Sequence, residues 1–145
     1  KTWIQCYKLD ASICRFYNVY GPREPKTGDF ATVVRKFIRQ YKNNEPLTIV
    51  GDGKQRRDFT HVNDIVDGLI KVMHNGKSDN LYHLGRGINY SINELASMFK
   101  NAKIKYVPVR KGEGLVTLAD YEETFTQLSW RATHDLKDYI YTQTK

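Results

Sequence analysis

Apolar residues recur along the chain first at helical and then at strand spacing, and the alternation continues to the end. Trp3, Ile4, Cys6 and Tyr7 share one side of a segment from Lys1 to Leu9, which predicts the last turns of a helix already under way before Lys1. Ala11 to Val19, rich in β-branched and aromatic residues and stopped by Gly21-Pro22, predicts a buried strand with polar Asn18 at its carboxyl end. Val33, Val34, Phe37, Ile38 and Tyr41 then repeat at helical spacing within Phe30 to Lys42. Leu47 to Val50 reads as a short strand running into Gly51-Asp52-Gly53, a turn sequence that permits positive φ.

Asp64 is the expected N-cap of a helix through Met73, with Ile65, Leu69, Val72 and Met73 on one face and Asn75-Gly76 as its stop. Leu81 to Leu84 predicts another buried strand. Ser91 and Glu94 have the S-x-x-E spacing of a capping box and open a helix over Ile92 to Lys100. Ile104 to Val109 is strandlike, Leu128 to Trp130 closes a short helix, and Leu136 to Tyr141 forms the last one. The pattern is α/β, without internal repeats.

Composition narrows this only a little. With 145 residues, 40% hydrophobic and 27% charged, the chain has the size and balance of one globular domain. No apolar run is long enough for a bilayer span and the first residues do not form a signal peptide, so a cytoplasmic location is expected, with no membrane partner. The net charge of +7 comes from Lys and Arg scattered singly or in pairs, not from a basic arm, which argues against a nucleic-acid partner. Cys6 and Cys14 lack the spacing of a zinc site, and no metal is expected. No G-x-G-x-x-G fingerprint follows a strand, and Gly51-Asp52-Gly53-Lys54 lacks the Ser or Thr of a phosphate loop.

Open α/β sheets bind ligands outside the carboxyl ends of their strands, which gives Asn18 a physical reason to be functional. An arginine can supply a planar, permanently charged fork for an anionic ligand; a surface ion pair is the ordinary alternative for any one of them.

Four segments carry a resemblance: Arg15 to Arg23 (RFYNVYGPR), Gly51 to Asp64 (GDGKQRRDFTHVND), Tyr82 to Leu95 (YHLGRGINYSINEL) and Val107 to Trp130 (VPVRKGEGLVTLAD onward to LSW). In order and spacing they resemble the NAD-dependent epimerase/dehydratase family of extended short-chain dehydrogenases. The resemblance implies a doubly wound Rossmann-type domain interleaved with a smaller substrate domain. This chain would supply the substrate-binding part and the last strands of the sheet: 1–22 and 81–101 in the Rossmann-type domain, 23–80 and 102–145 in the substrate domain, with the helix after Ser91 packed on the large sheet. It implies NAD as cofactor, a nucleotide sugar such as a UDP-sugar as substrate, chemistry of the UDP-hexose 4-epimerase type, and a homodimer.

Residue by residue, the resemblance assigns Arg57 and Arg110 to the pyrophosphate, Asn18 to the substrate near its sugar and phosphates, Thr48 and Val50 to the base, Phe59 to an aromatic place near the ligand, and Glu113 to a ribose hydroxyl. Many relatives have Asp where Glu113 stands. Tyr17 would lie beside the nicotinamide, with core packing as its alternative, while His61, His83 and Asp58 are expected to be structural. The family's acid/base pair is Y-x-x-x-K, in which the lysine favours the phenolate. Tyr7, Tyr17 and Tyr20 are followed four residues later by Ala11, Gly21 and Glu24, so no such pair stands near the relevant strand and the chain is expected to lack one. It is expected upstream of Lys1, on the helix that carries Trp3, leaving no catalytic residue here and a chain that is silent alone. A 4,6-dehydratase or decarboxylase of the same family is the nearest rival reading, and a noncatalytic sugar-nucleotide-binding module the rival of another class.

Overall fold

A computed structural model describes residues 1–25, 28, 31–109, 112 and 114–145. In chain order the elements are α1 (Thr2–Tyr7), β1 (Ile13–Phe16), β2 (Val19–Tyr20), α2 (Val33–Lys42), β3 (Leu47–Val50), β4 (Arg56–Asp58), β5 (Thr60–His61), α3 (Val62–Asn75), β6 (Leu81–Leu84), β7 (Asn89–Ser91), α4 (Ile92–Ser97), β8 (Ile104–Val107), α5 (Glu122–Leu128) and α6 (Leu136–Thr144). β1 pairs parallel with β6, β2 with β5 and β3 with β8, while β4 and β7 are antiparallel. Parallel pairing between strands far apart in sequence, with helices in the crossovers, makes this an α/β fold.

Local chemistry sets several boundaries. Thr32 caps α2 by accepting from Arg35 N at 3.2 Å, and the helix buries Val34, Phe37 and Ile38. The capping box forms as its spacing predicts: Ser91 Oγ accepts from Glu94 N at 3.0 Å, and the Glu94 carboxylate accepts from Ser91 N at 2.6 Å. Gly51 and Gly53 adopt φ of 64° and 73°, which the turn after β3 requires and which a side chain would oppose.

The apolar side chains divide into two cores. One gathers Phe37 and Ile38 of α2, Leu47 and Ile49 of β3, Phe59, Leu95 of α4, and Leu136 and Ile140 of α6. The other gathers Ile65 and Val72 of α3, Tyr82 and Leu84 of β6, Leu128 and Trp130. α4 therefore packs on α2 and β3, not on the β1–β6 sheet as expected. Its buried face of Ile92, Leu95 and Ala96 is satisfied by the first core.

Three further expectations change. β1 is not a buried strand, since Ile13, Arg15 and Phe16 are exposed and, among the described residues, β6 alone covers an edge. Asp64 is not the N-cap of α3. His61 caps that helix by accepting at Nδ1 from Asn63 N, and Asp64 sits in the first turn, buried, where it accepts from Thr133 Oγ1, His134 N and His134 Nδ1. On α3, Ile65 and Val72 face the core, whereas Leu69 and Met73 are exposed beside Val66 and Ile70. This helix thus carries two apolar sides. Trp3 and Tyr7 of α1 are also exposed and stacked on each other. No helix among the described residues is long and apolar enough to cross a membrane.

Candidate functional site

A cleft of about 940 Å³ opens beside β3 and β4, lined by Val50, Gly51, Gln55, Arg56, Tyr106, Val109, Leu115 and Val116 among others. A large, mainly apolar cavity with a few polar groups is the usual form of a small-molecule site.

β3 supplies one wall through its backbone. Leu47 N donates to Lys103 O and Gly51 N to Val107 O, so the odd-numbered residues of β3 pair with β8. Thr48 and Val50 turn their peptide groups to the opposite edge. Two glutamines brace that edge. Gln40 Oε1 accepts from Thr48 N while Gln40 Nε2 donates to Thr48 Oγ1, and Gln55 Nε2 donates to Val50 O at 2.9 Å. Val50 lines the cleft. The Thr48 side chain and N–H are instead both committed to Gln40, which leaves its carbonyl as the part turned to that edge.

β4 supplies the cations. Arg56 lines the cleft, held by Asn89 through Nε and Nη2 and by the Glu94 carboxylate at 3.0 Å from Nη1. Arg57, next along the strand, projects to the other side, and its Nη1 donates to Arg56 O at 2.9 Å. Arg56, in the same motif as Arg57, is thus the arginine of β4 that lines the cleft. Arg110 and Glu113 lie outside the described residues.

Asp58 is the hub beneath the site. It is 0% exposed and accepts from Arg86 N at 3.0 Å, Gly87 N at 2.9 Å, Ala119 N at 3.0 Å and Thr60 Oγ1 at 3.3 Å. Those bonds tie β4 to the loop after β6 and to the segment that leads from the cleft to α5. Gly85 belongs to the same junction: a Cβ there would meet Ala119 Cβ, and Tyr17 Cδ2 at 2.9 Å. Phe59, next to Asp58, is 2% exposed and part of the first core. Its expected contact with a ligand is therefore replaced by packing, because alternation along the chain sends its ring inward when Asp58 turns to the loops.

Asn18 lies at the carboxyl end of β1, exposed, with its backbone carbonyl accepting from Thr60 N and its Oδ1 accepting from Thr117 Oγ1 at 3.1 Å. Thr117 also accepts from Asp58 N at 3.2 Å, so one hydroxyl joins Asn18 to the strand that carries Arg57. Tyr17 is half-buried, with its hydroxyl 2.6 Å from His83 Nδ1. His83 N in turn donates to Thr124 Oγ1, so His83 is structural in its bonding.

His61 is likewise structural: besides capping α3, it stacks on His134 with ring centroids 4.4 Å apart. Burial, and then the neighbouring His134, push the His61 pKa down, against a smaller opposing pull from Asp64. Burial alone would raise the Asp64 carboxyl, but the hydrogen bonds from His134 and Thr133 outweigh it and hold Asp64 below its ordinary value.

A literal Y-x-x-x-K spacing does occur, contrary to the expectation that the chain lacks one: Tyr141 and Lys145. The Lys145 ammonium lies over the Tyr141 ring at 4.5 Å, a cation–π contact that turns it to the ring face. Tyr141 is exposed at the end of α6, whose buried residues pack with α2 and not at the carboxyl ends of β1 and β6. Among the described residues no group of His, Cys, Asp and Glu is arranged to hold a metal ion.

Known proteins share this arrangement. The family model for the NAD dependent epimerase/dehydratase family matches residues 1–85. A UDP-glucuronic acid decarboxylase of Arabidopsis thaliana is 34% identical over 127 residues, covering 84% of this chain and 28% of the relative. A UDP-glucuronate 4-epimerase of Thermodesulfobacterium geofontis is 33% identical over 135 residues, covering 89% and 40%. The structure of UDP-glucuronic acid 4-epimerase from Bacillus cereus, in complex with UDP-glucuronic acid and NAD, superimposes with a TM-score of 0.88 at 27% identity over 99% of this chain and 46% of that one. The chain thus spans less than half the length of each of these relatives. With the family model matching more than half of its residues and the fold matching over 99% of its length, this chain belongs to the NAD-dependent epimerase/dehydratase family.

Proposed function

We propose that the chain is the substrate-binding portion of an NAD-dependent nucleotide-sugar epimerase of the UDP-hexose 4-epimerase type. The observation that carries this reading is the cleft itself, where the carboxyl end of β3 adjoins Arg56 of the arginine-bearing strand β4. In this reading the base meets the backbone of Thr48 and Val50, and the pyrophosphate is gripped by Arg57 and Arg110 with Arg56 beside them. Glu113 accepts from the ribose, and Asn18 bonds the sugar-phosphate end. Residues 1–22 and 81–84 complete the Rossmann-type sheet. α4 is assigned to the substrate-binding portion, from its packing on α2 and β3.

Toward NAD, the chain offers the carboxyl ends of β1 and β6. Gly85 leaves the close space that Tyr17 fills there, and His83 holds the Tyr17 hydroxyl, so that a fixed aromatic residue is available to flank the nicotinamide. NAD supplies hydride acceptance and return. The residues of this chain bind and orient the sugar nucleotide, while a tyrosine–lysine pair outside these residues moves the proton. Homodimer formation is part of the same proposal, supported by the exposed apolar side of α1.

The decarboxylase among the relatives favours a second reading within the same chemistry. One experiment decides between them. The native polypeptide is incubated with NAD and either UDP-glucose or UDP-glucuronate, and the products are followed by NMR. Appearance of the 4-epimer supports the proposal, and loss of carbon dioxide from UDP-glucuronate supports the alternative. Failure to bind either nucleotide in calorimetric titration removes both. Arg57→Ala is expected to weaken binding by about tenfold or more, as loss of a charge-assisted bond implies.

A further inference from the structure

We infer that Thr117 is a positioning residue that sets the polarity of Asn18, turning the amide nitrogen outward as a hydrogen-bond donor toward an anionic ligand oxygen. Proton bookkeeping leads there. A threonine hydroxyl has one proton to give and two lone pairs to receive with. Thr117 Oγ1 already receives the Asp58 N–H at 3.2 Å, and Asp58 N is fixed in β4. The hydroxyl proton then goes to the acceptor at 3.1 Å, Asn18 Oδ1. The opposite amide orientation would make Thr117 receive twice and leave its own proton without an acceptor at this junction.

With Oδ1 committed to Thr117, Nδ2 is the group Asn18 presents to solvent, and among the described residues no acceptor meets it. The amide plane is held as well as its polarity. Asn18 O accepts from Thr60 N, and Thr117 N donates to Arg56 O, so both partners are anchored through their own backbones. Asn18 is therefore a preorganised donor at the carboxyl end of β1, linked through one hydroxyl to the arginine-bearing strand. A ligand oxygen carrying negative charge, such as a pyrophosphate oxygen, fits it, while a group that can only donate does not. The identity of the ligand rests on the nucleotide-sugar reading, whereas the orientation of the amide does not.

The test has two arms, both on the native polypeptide. The first uses no ligand: solvent exchange of the two Asn18 side-chain amide protons is measured by NMR, with Asn18→Asp identifying their signals. Both protons exchanging as freely as in an unprotected primary amide is the expected result. One protected proton that becomes free in Thr117→Val overturns the inference.

The second arm is calorimetric titration with UDP-glucose. Thr117→Val is expected to weaken binding by about tenfold, and Thr117→Ser, which keeps the hydroxyl, to stay within about threefold of the wild type. Asn18→Asp, which turns an acceptor outward, is expected to bind at least as weakly as Thr117→Val. An Asn18→Asp protein that binds as tightly as the wild type, or a Thr117→Val protein with unchanged affinity, overturns the inference. A wild type that binds no UDP-glucose refutes the nucleotide reading, and the exchange arm then decides the role of Thr117 by itself.

Discussion

Replacing Asp58 by asparagine tests whether the hub beneath the cleft is built on a carboxylate. Oδ2 accepts from the backbone N–H groups of Gly87 and Ala119, and Oδ1 from Arg86 N and the Thr60 hydroxyl. An amide must put its NH₂ in place of one of these oxygens. The less harmful choice is Oδ1, because the Thr60 hydroxyl can rotate to accept, but Arg86 N is then left facing a donor. An orphaned buried N–H costs about 1–3 kcal/mol, and each bond that loses its ionic partner weakens by roughly 1 kcal/mol. Relief from burying a charge offsets part of this. The net expectation is a loss of about 2–4 kcal/mol, a large share of the roughly 5–15 kcal/mol by which domains are stable.

Urea unfolding of the native polypeptide, followed by circular dichroism, measures it. At a slope of about 1–3 kcal/mol per molar urea, the midpoint should fall by about 1–2 M with the slope unchanged. Asp58→Ala, which strands all the donors, should fall further. A shift for Asp58→Asn below about 0.3 M would mean that the network tolerates a neutral hub, and the reasoning from its donors would be wrong.

Other perturbations follow from the same geometry. Gly85→Ala places a methyl group against Ala119 and Tyr17, and is expected to cost about 1–3 kcal/mol in a thermal melt; an unchanged melt would show that the junction has room to yield. Ser91→Ala removes half of the capping box of α4 and should cost about 1 kcal/mol in urea unfolding, whereas no change would mean that packing alone holds that helix. Stability should also depend on pH in a defined direction. The pKa of His61 is depressed below 6.5 in the fold, so the unfolded chain takes up the proton more readily, and stability is full above pH 6.5 and declines as pH falls through it. Asp64, depressed below 3.8, adds a second loss as pH falls below that value. The urea midpoint measured at pH 7.5 and 5.5 should drop for the wild type and drop less for His61→Asn, which retains a capping acceptor; equal drops in both would assign the first step to another group.

How much of this was legible in the sequence depended on how far apart the partners lie. Leu47 to Val50 and Leu81 to Leu84 are strands with the predicted limits, and the Ser91–Glu94 box forms as written, because strand propensity and capping are decided within a few residues. Asn18 could be placed at a strand end for the same reason. The short strands β2, β4, β5 and β7, of two or three residues, carry too little periodicity to be seen, and they exist because a distant partner pairs with them. Phe59 and Arg57 were assigned by motif, but whether a side chain turns to the ligand or to the core is set by the packing around its strand.

The braced edge of β3 was not read from the sequence, because the burial of Gln40 on the helix whose apolar residues pack on that strand is a product of the fold. The Asp58 hub and the Thr117 bridge left no trace there either. Thr60 apart, their donors and acceptors come from residues 28 to 99 positions away, and only the closing of β4, the loop after β6 and the segment before α5 onto one another brings them within hydrogen-bond reach. Local sequence chose the elements, and tertiary packing chose which polar groups meet, since a buried hydrogen bond requires its partner to be delivered across the fold.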